Sequence, residues 1–158
     1  YKKTELIVGD FNQLKWPLVV IRTGSELKKL QNKAGKNIYF AGMVTEQDLP
    51  YYYQGAKALI FPQSEDFGIV AVEAQAAGKP VVAYRAGGAL ETVIEDKTGI
   101  FFDSQTVSAL KEALMSFDSV NFKREDCIAN AQRFTKEKFV RDFGKLTKDL
   151  FAHELPNI

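Results

Sequence analysis

Histidine and cysteine are almost missing from this chain. One histidine, His153, and one cysteine, Cys127, occur among 158 residues. A lone cysteine excludes an internal disulfide framework and fits a reducing, cytoplasmic setting. Cys127 itself reads as a small, buried apolar side chain. The lone histidine, in an expected terminal helix, reads as a surface or packing residue. No Asp-x-Asp motif and no cluster of ligating side chains appears, so no metal and no cofactor are expected. Charge of one sign is lacking too: 21 basic and 20 acidic side chains leave a net charge of +1. That argues against a nucleic-acid binder, which usually carries a basic surplus on one face. No apolar run is long enough to span a bilayer, and no signal peptide is visible. There is no initiator methionine either. Tyr1-Lys2-Lys3-Thr4 runs straight into an expected helix, so the chain reads as a fragment of a longer protein.

What is present describes a soluble globular unit, a single domain over residues 1–158. Apolar residues make up 46% and charged residues 26% of the chain, enough for one full core. Helical and extended patterns alternate. The spacing predicts helices over 3–14, 26–34 and 68–77, with a short one over 89–94. Short apolar strands are expected at Leu18–Ile21, Ile38–Ala41, Ala58–Phe61, Val81–Tyr84 and Gly99–Phe102. Ser25 is the expected cap of the second helix. Thr45, with Asp48 three residues on, is the expected start of the third, and Pro50 is tolerable in its first turn. Gly78 should close the fourth helix in a left-handed turn before Pro80. Only helices follow the last strand, over 107–117, 124–134 and 136–155. This alternation implies an α/β fold with a doubly wound parallel sheet and C-terminal helices. Ligands of such sheets bind beyond the carboxyl ends of the strands. The loops after Ile21, Ala41, Phe61, Tyr84 and Phe102 are therefore the places to search.

The loop after Phe61 reads Pro62-Gln63-Ser64-Glu65-Asp66-Phe67-Gly68 and enters a helix that is apolar nearly all round. Such a helix is expected to be buried. Glu73 sits in its middle, and burying a lone carboxylate is costly unless it is paired. The helix starts at Gly68, at the mouth of a strand, where free backbone N–H groups and the positive dipole end suit an anion. Two readings stay open. Glu73 pairs with a basic side chain elsewhere and Glu65 is an exposed loop acid. Alternatively, both carboxylates accept hydrogen bonds from sugar hydroxyls, a task suited to groups with several lone pairs.

Glu65 and Glu73, with Phe67-Gly68 between them and Gly78-Lys79-Pro80-Val81-Val82-Ala83 after, resemble the signature of glycosyltransferase family 4 and its GT-B relatives. Asn37-Ile38-Tyr39-Phe40-Ala41-Gly42-Met43-Val44 is similar to a further block of that family. So are Gly87-Gly88-Ala89-Leu90-Glu91-Thr92-Val93-Ile94 and Thr98-Gly99-Ile100-Phe101-Phe102. Tyr1-Lys2-Lys3 and the Gly88–Thr92 stretch resemble the WbaZ-like mannosyltransferase branch in particular. The resemblance covers nearly the whole chain, and its strength lies in the ordered set of blocks.

The resemblance implies the Rossmann-like, donor-binding half of a GT-B enzyme whose N-terminal acceptor domain is absent here. It implies a retaining hexosyltransferase that moves a sugar, mannose from GDP-mannose above all, onto a glycan or lipid-linked acceptor in polysaccharide biosynthesis. Glu73 would hold the ribose hydroxyls and Glu65 the hydroxyls of the transferred sugar. Backbone N–H groups near Phe67, Gly68 and Ile69 would meet the sugar and the diphosphate. Lys2 would neutralise the diphosphate leaving group. Gly42, Met43 and Val44 would face the base. Three departures stand out. The basic partner of Lys2 and the first strand of the sheet, both expected upstream, are absent. Arg22-Thr23-Gly24 replaces a Gly-x-Gly turn, where Arg22 either crowds a phosphate or adds charge to it. The fragment alone should bind donor weakly and should not catalyse transfer. Two rival readings are an epimerase-like GT-B enzyme acting on a UDP-sugar and a non-catalytic nucleotide-sugar-binding module.

Phe139, Phe143, Leu146 and Leu150 share one face of the last helix, with Lys138, Arg141, Lys145 and Lys148 mostly elsewhere. That face suits packing on its own domain or on the missing partner domain. A basic amphipathic helix also suits peripheral contact with an anionic, cytoplasmic membrane face.

Overall fold

The computed structural model describes residues 3–21 and 23–154. Lys2 and Arg22 lie outside them, as does the side chain of His153. Helices and strands alternate as α1 (Thr4–Leu14), β1 (Leu18–Val20), α2 (Leu27–Lys33), β2 (Ile38–Phe40), α3 (Leu49–Gly55), β3 (Leu59–Phe61), α4 (Ile69–Ala76), β4 (Val81–Tyr84), α5 (Ala89–Thr92) and β5 (Gly99–Phe102). Three helices follow: α6 (Val107–Ser116), α7 (Arg124–Ala131) and α8 (Lys136–Glu154). Single 3-10 turns lie at Phe117–Ser119 and Gln132–Phe134. All strand pairs are parallel. β1 pairs with β2, and β3-β4-β5 form a second sheet. One continuous sheet was expected. Among the described residues no strand joins β1 to β3, so each keeps a free edge.

Side chains alternate between two cores, as a sheet covered on both faces requires. Val82, Ile100 and Phe102 join Ile7, Val8 and Phe11 of α1, Leu30 of α2 and Leu110 and Leu114 of α6 on one face. Phe61, Val81 and Ala83 join Ala71 and Ala74 of α4, Ala89 and Val93 on the other. Val20 and Ile38 reach the first core as well. Their outward neighbours Val19 and Tyr39 are exposed. The α/β, doubly wound reading therefore holds.

Local chemistry explains most of the boundaries. The Thr106 hydroxyl caps α6 by accepting from the Ala109 N–H. Gly78 closes α4 with φ 77°, where a side chain would be strained and would also meet Arg124. Two expected caps are different. Glu26, not Ser25, precedes α2, without a side-chain cap. Thr45 does not begin α3. Its hydroxyl donates to Asp48 Oδ2 (2.7 Å) and accepts from the Asp48 N–H (3.2 Å), closing a separate turn before Leu49. Pro50 does lie in the first turn of α3.

Cys127 is fully buried on α7, and burial, followed by the Asp126 charge, pushes its thiol up to about 11. The expectation that α8 packs on its own domain is corrected in part. Phe139, Phe143 and Leu146 stay exposed, because the helix runs on from the turn at Gln132–Phe134 with that face uncovered. No helix among the described residues is long and apolar enough to cross a membrane.

Candidate functional site

The loop between β3 and α4 is held from three directions. Pro62 is buried, and its carbonyl accepts from Gln105 Nε2 at 2.8 Å, tying the loop to the segment after β5. Gln63 Nε2 donates to Glu65 Oε1 at 2.9 Å and so fixes the Glu65 carboxylate by its own near neighbour. The Gly88 N–H donates to the Glu65 carbonyl at 2.8 Å. A Cβ on Gly87 or Gly88 would run into the backbone of Glu65 or Phe67, respectively. The glycine pair is therefore the surface against which residues 65–67 are moulded. The Phe67 ring meets Phe134 edge-on, with centroids 5.6 Å apart and planes at 74°.

Gly68 turns the chain from this loop into α4. Its φ is 76°, and a Cβ there would sit 2.8 Å from Phe61 Cζ. Glycine is thus needed both for the left-handed backbone and for the close approach. The helix then starts with its amides at the carboxyl edge of the sheet, the arrangement that suits an anion.

The expected burial of α4 is corrected. Ala71, Ala74 and Gln75 are buried, but Ile69 is 62% exposed and Glu73 is only half-buried. The helix packs one face on β3, β4 and α7 and leaves the other open at the sheet edge. Glu73 therefore escapes the full cost of burial. Its hydrogen-bond partner is a phenol instead of a basic side chain. Tyr53 Oη donates to Glu73 Oε2 at 3.0 Å. Burial, then the Glu73 charge, raises the Tyr53 phenol well above its ordinary range, so Tyr53 is the donor in this bond. Among the described residues no ion pair reaches Glu73.

The loop after β2 lies beside the same helix α3. Gly42 adopts φ 71°, and Met43 is 83% exposed. Met43, Val44 and Thr45 line a shallow pocket of about 260 Å³ with Asp48, just before α3, and Tyr51 and Tyr52 of α3. Tyr53, next on α3, carries the contact on to Glu73 of α4. The structure thus joins Gly42–Val44 to Glu73 through α3, and Glu65, Phe67 and Gly68 to the same α4. The sequence reading missed Tyr53, because it stands in a run of three tyrosines where no pattern marks one of them.

Beneath the site, Gln75 of α4 is fully buried. Its Nε2 donates to the Ala71 and Thr92 carbonyls at 3.1 and 2.8 Å, and Asn130 Nδ2 donates to Gln75 Oε1 at 2.6 Å. Thr92 Oγ1 donates to the Gly88 carbonyl at 2.9 Å. This satisfied network links α4, α5 and α7 to the glycine turn, and satisfied buried networks rigidify what they join. Arg85, at the carboxyl end of β4, donates to Asp103 at 2.6 Å and bidentately to Glu95, clamping the ends of β4 and β5. Among the described residues no three His, Cys, Asp or Glu side chains gather as a metal site.

Residues 6–134 match the family described as glycosyl transferases group 1, and the chain belongs to it. An uncharacterized glycosyltransferase of Methanocaldococcus jannaschii is 28% identical over 94% of this chain and 45% of its own length. A GDP-mannose-dependent α-(1-6)-phosphatidylinositol monomannoside mannosyltransferase of Mycolicibacterium smegmatis is 34% identical over 61% of this chain and 29% of its own. Among solved structures, sucrose-phosphate synthase from Thermosynechococcus elongatus superposes with a TM-score of 0.84 at 27% identity, over 96% of this chain and 43% of that one. The fold is that of one Rossmann-like half of a GT-B glycosyltransferase. The chain spans less than half the length of the relatives it matches.

Proposed function

We propose that this chain is the donor-binding half of a retaining hexosyltransferase of glycosyltransferase family 4, in its WbaZ-like mannosyltransferase branch, with GDP-mannose as donor. The observation that carries the reading is the continuous edge formed by loop 41–45, α3, Glu73, the start of α4 and Glu65. It offers a shallow pocket for a base, a carboxylate for a ribose diol, helix amides for a diphosphate and a second, pinned carboxylate for a hexose. The choice of GDP-mannose is supported by the mannosyltransferase relative at 34% identity, whose name carries that donor.

In this reading the leaving diphosphate develops charge at the N-terminal end of α4, where fixed amides and the helix dipole stabilise it. Lys2 adds a cation to the same task. Glu65, oriented by Gln63, holds the hexose hydroxyls so that the anomeric carbon faces the acceptor. The acceptor, a glycan or lipid-linked sugar, is bound by an N-terminal domain outside this chain. No metal takes part in this scheme. Transfer takes place on the cytoplasmic side, with α8 free to touch an anionic membrane face.

Calorimetric titration with GDP, UDP and ADP, alongside Glu73→Ala, tests the proposal. GDP alone should bind, and the variant should lose it. Equal binding of GDP by both proteins would refute the donor-site reading and leave a non-catalytic relative of the fold. Selective binding of UDP would remove the GDP-mannose assignment and favour a UDP-sugar enzyme.

A further inference from the structure

We propose that Tyr53 is a positioning residue of the donor site, its hydroxyl holding one oxygen of the Glu73 carboxylate so that the other faces the ribose diol. This rests on the donor-site reading above and adds a residue to it. The geometry is a 3.0 Å hydrogen bond between the phenol of α3 and Oε2 of Glu73. The phenyl ring of Tyr53 is packed against the core around Phe61, Ala71 and Val81, so the hydroxyl is delivered from a fixed base.

A half-exposed glutamate has three side-chain torsions to lose when it binds a ligand, and that loss opposes binding. Holding the carboxylate in advance removes part of the opposition, which is the general route by which pre-organisation raises affinity. The hydrogen-bond capacity also works out. Each carboxylate oxygen accepts about two hydrogen bonds. One acceptor site on Oε2 goes to Tyr53, which leaves enough for two vicinal hydroxyls. The phenol remains protonated at any working pH, since burial and the neighbouring carboxylate both oppose its ionisation. It therefore stays a donor to Glu73 throughout.

The helix adds a reason for the arrangement. Asp48, Tyr51 and Tyr52 of the same segment line the pocket beside Met43 and Val44. One short helix thus shapes the base-side pocket and aims the ribose carboxylate. A shift of α3 on nucleotide binding would be felt at both.

The test is calorimetry on the full-length protein with GDP and 2′,3′-dideoxy-GDP, which lacks the diol. Wild type should prefer GDP. Tyr53→Phe keeps the ring and removes only the hydroxyl. It should weaken GDP about tenfold, the range of one hydrogen bond to a charged group, leave dideoxy-GDP unchanged, and leave the melting temperature close to wild type. A purely structural role would weaken both ligands alike or lower the melting temperature, and either result overturns the proposal. Glu73→Gln separates the two readings. If it abolishes the preference for GDP while Tyr53→Phe preserves it, the donor site stands and the role of Tyr53 falls. If wild type binds GDP and dideoxy-GDP equally, both fall.

Discussion

Asp10 offers a direct test of the physics of the α1–α6 layer. It is fully buried on α1, and neither carboxylate oxygen has a hydrogen-bond partner. Loss of water around the charge raises its pKa from an ordinary 3.8 to about 6, and attraction by Lys111 of α6 offsets only part of that. The sign follows from linkage. The folded state holds the proton more tightly than the unfolded state does, so Asp10 costs nothing below about pH 4. The penalty grows as pH rises from about 4 to about 6 and is constant above, at ~3 kcal/mol. Asp10→Asn is neutral at every pH and similar in size, so it isolates the ionisation. Urea denaturation of both proteins at several values between pH 4 and pH 7.5 is the assay. The two should be equally stable near pH 4, and the variant should be more stable above pH 6 by up to ~3 kcal/mol. Other carboxylates, such as Glu5 and Glu95, have pKa values lowered by their basic partners and act in the opposite sense, but they cancel in the difference. A stability difference that does not change with pH would refute the argument.

The remaining expectations concern the loop and its support. Gly68→Ala forces a side chain into a left-handed backbone against Phe61 and should cost ~1–3 kcal/mol in thermal unfolding; an unchanged melting temperature would contradict it. Gly88→Ala drives a Cβ into the Phe67 backbone, so it should weaken nucleotide binding in calorimetry, and an unchanged affinity would contradict it. Asn130→Ala strands Gln75 Oε1 in the core and should lower stability by ~1–3 kcal/mol, with a destabilisation under ~0.5 kcal/mol in urea titration speaking against the network.

Much of the fold was legible because the chemistry was local. Apolar runs such as Val81–Tyr84, bounded by Pro80 and a glycine turn, can be little other than buried parallel strands. Gly78 announced its left-handed turn by standing between a helical run and a proline. The caps were less legible. Thr45 and Asp48 do hydrogen-bond as their spacing suggests, but they close a turn of their own, since the bond alone does not say whether a helix follows. The burial of α4 was misread for a different reason. Ile69 and Ala76 are apolar, yet apolarity shows only what tolerates burial, and the open edge of the sheet left them exposed. Tyr53 and Gln63 were invisible because each acts on a residue whose position relative to it is set by the tertiary fold or by a loop conformation with no periodicity.

The location of the site follows from the winding of the chain. α1, α2 and α6 cover one face and α4 and α5 the other. With right-handed crossovers, the path through α2 and the path through α4 and α5 must then advance in opposite directions. The reversal falls between β1 and β3, whose facing edges are both free, and α/β sheets bind ligands where such a reversal opens the carboxyl edge. A strand leading into α1 would, by the same handedness, lie beside β1 on the side away from β2, against the free edge of β3. Since α1 runs antiparallel to the strand it precedes, its N-terminal end reaches the carboxyl edge, the edge from which α4 starts at Gly68. The described end of α1 at Thr4 is thus carried to the end of the sheet where Glu65, Gly68 and Glu73 stand, so both helices begin where an anion would meet their amides.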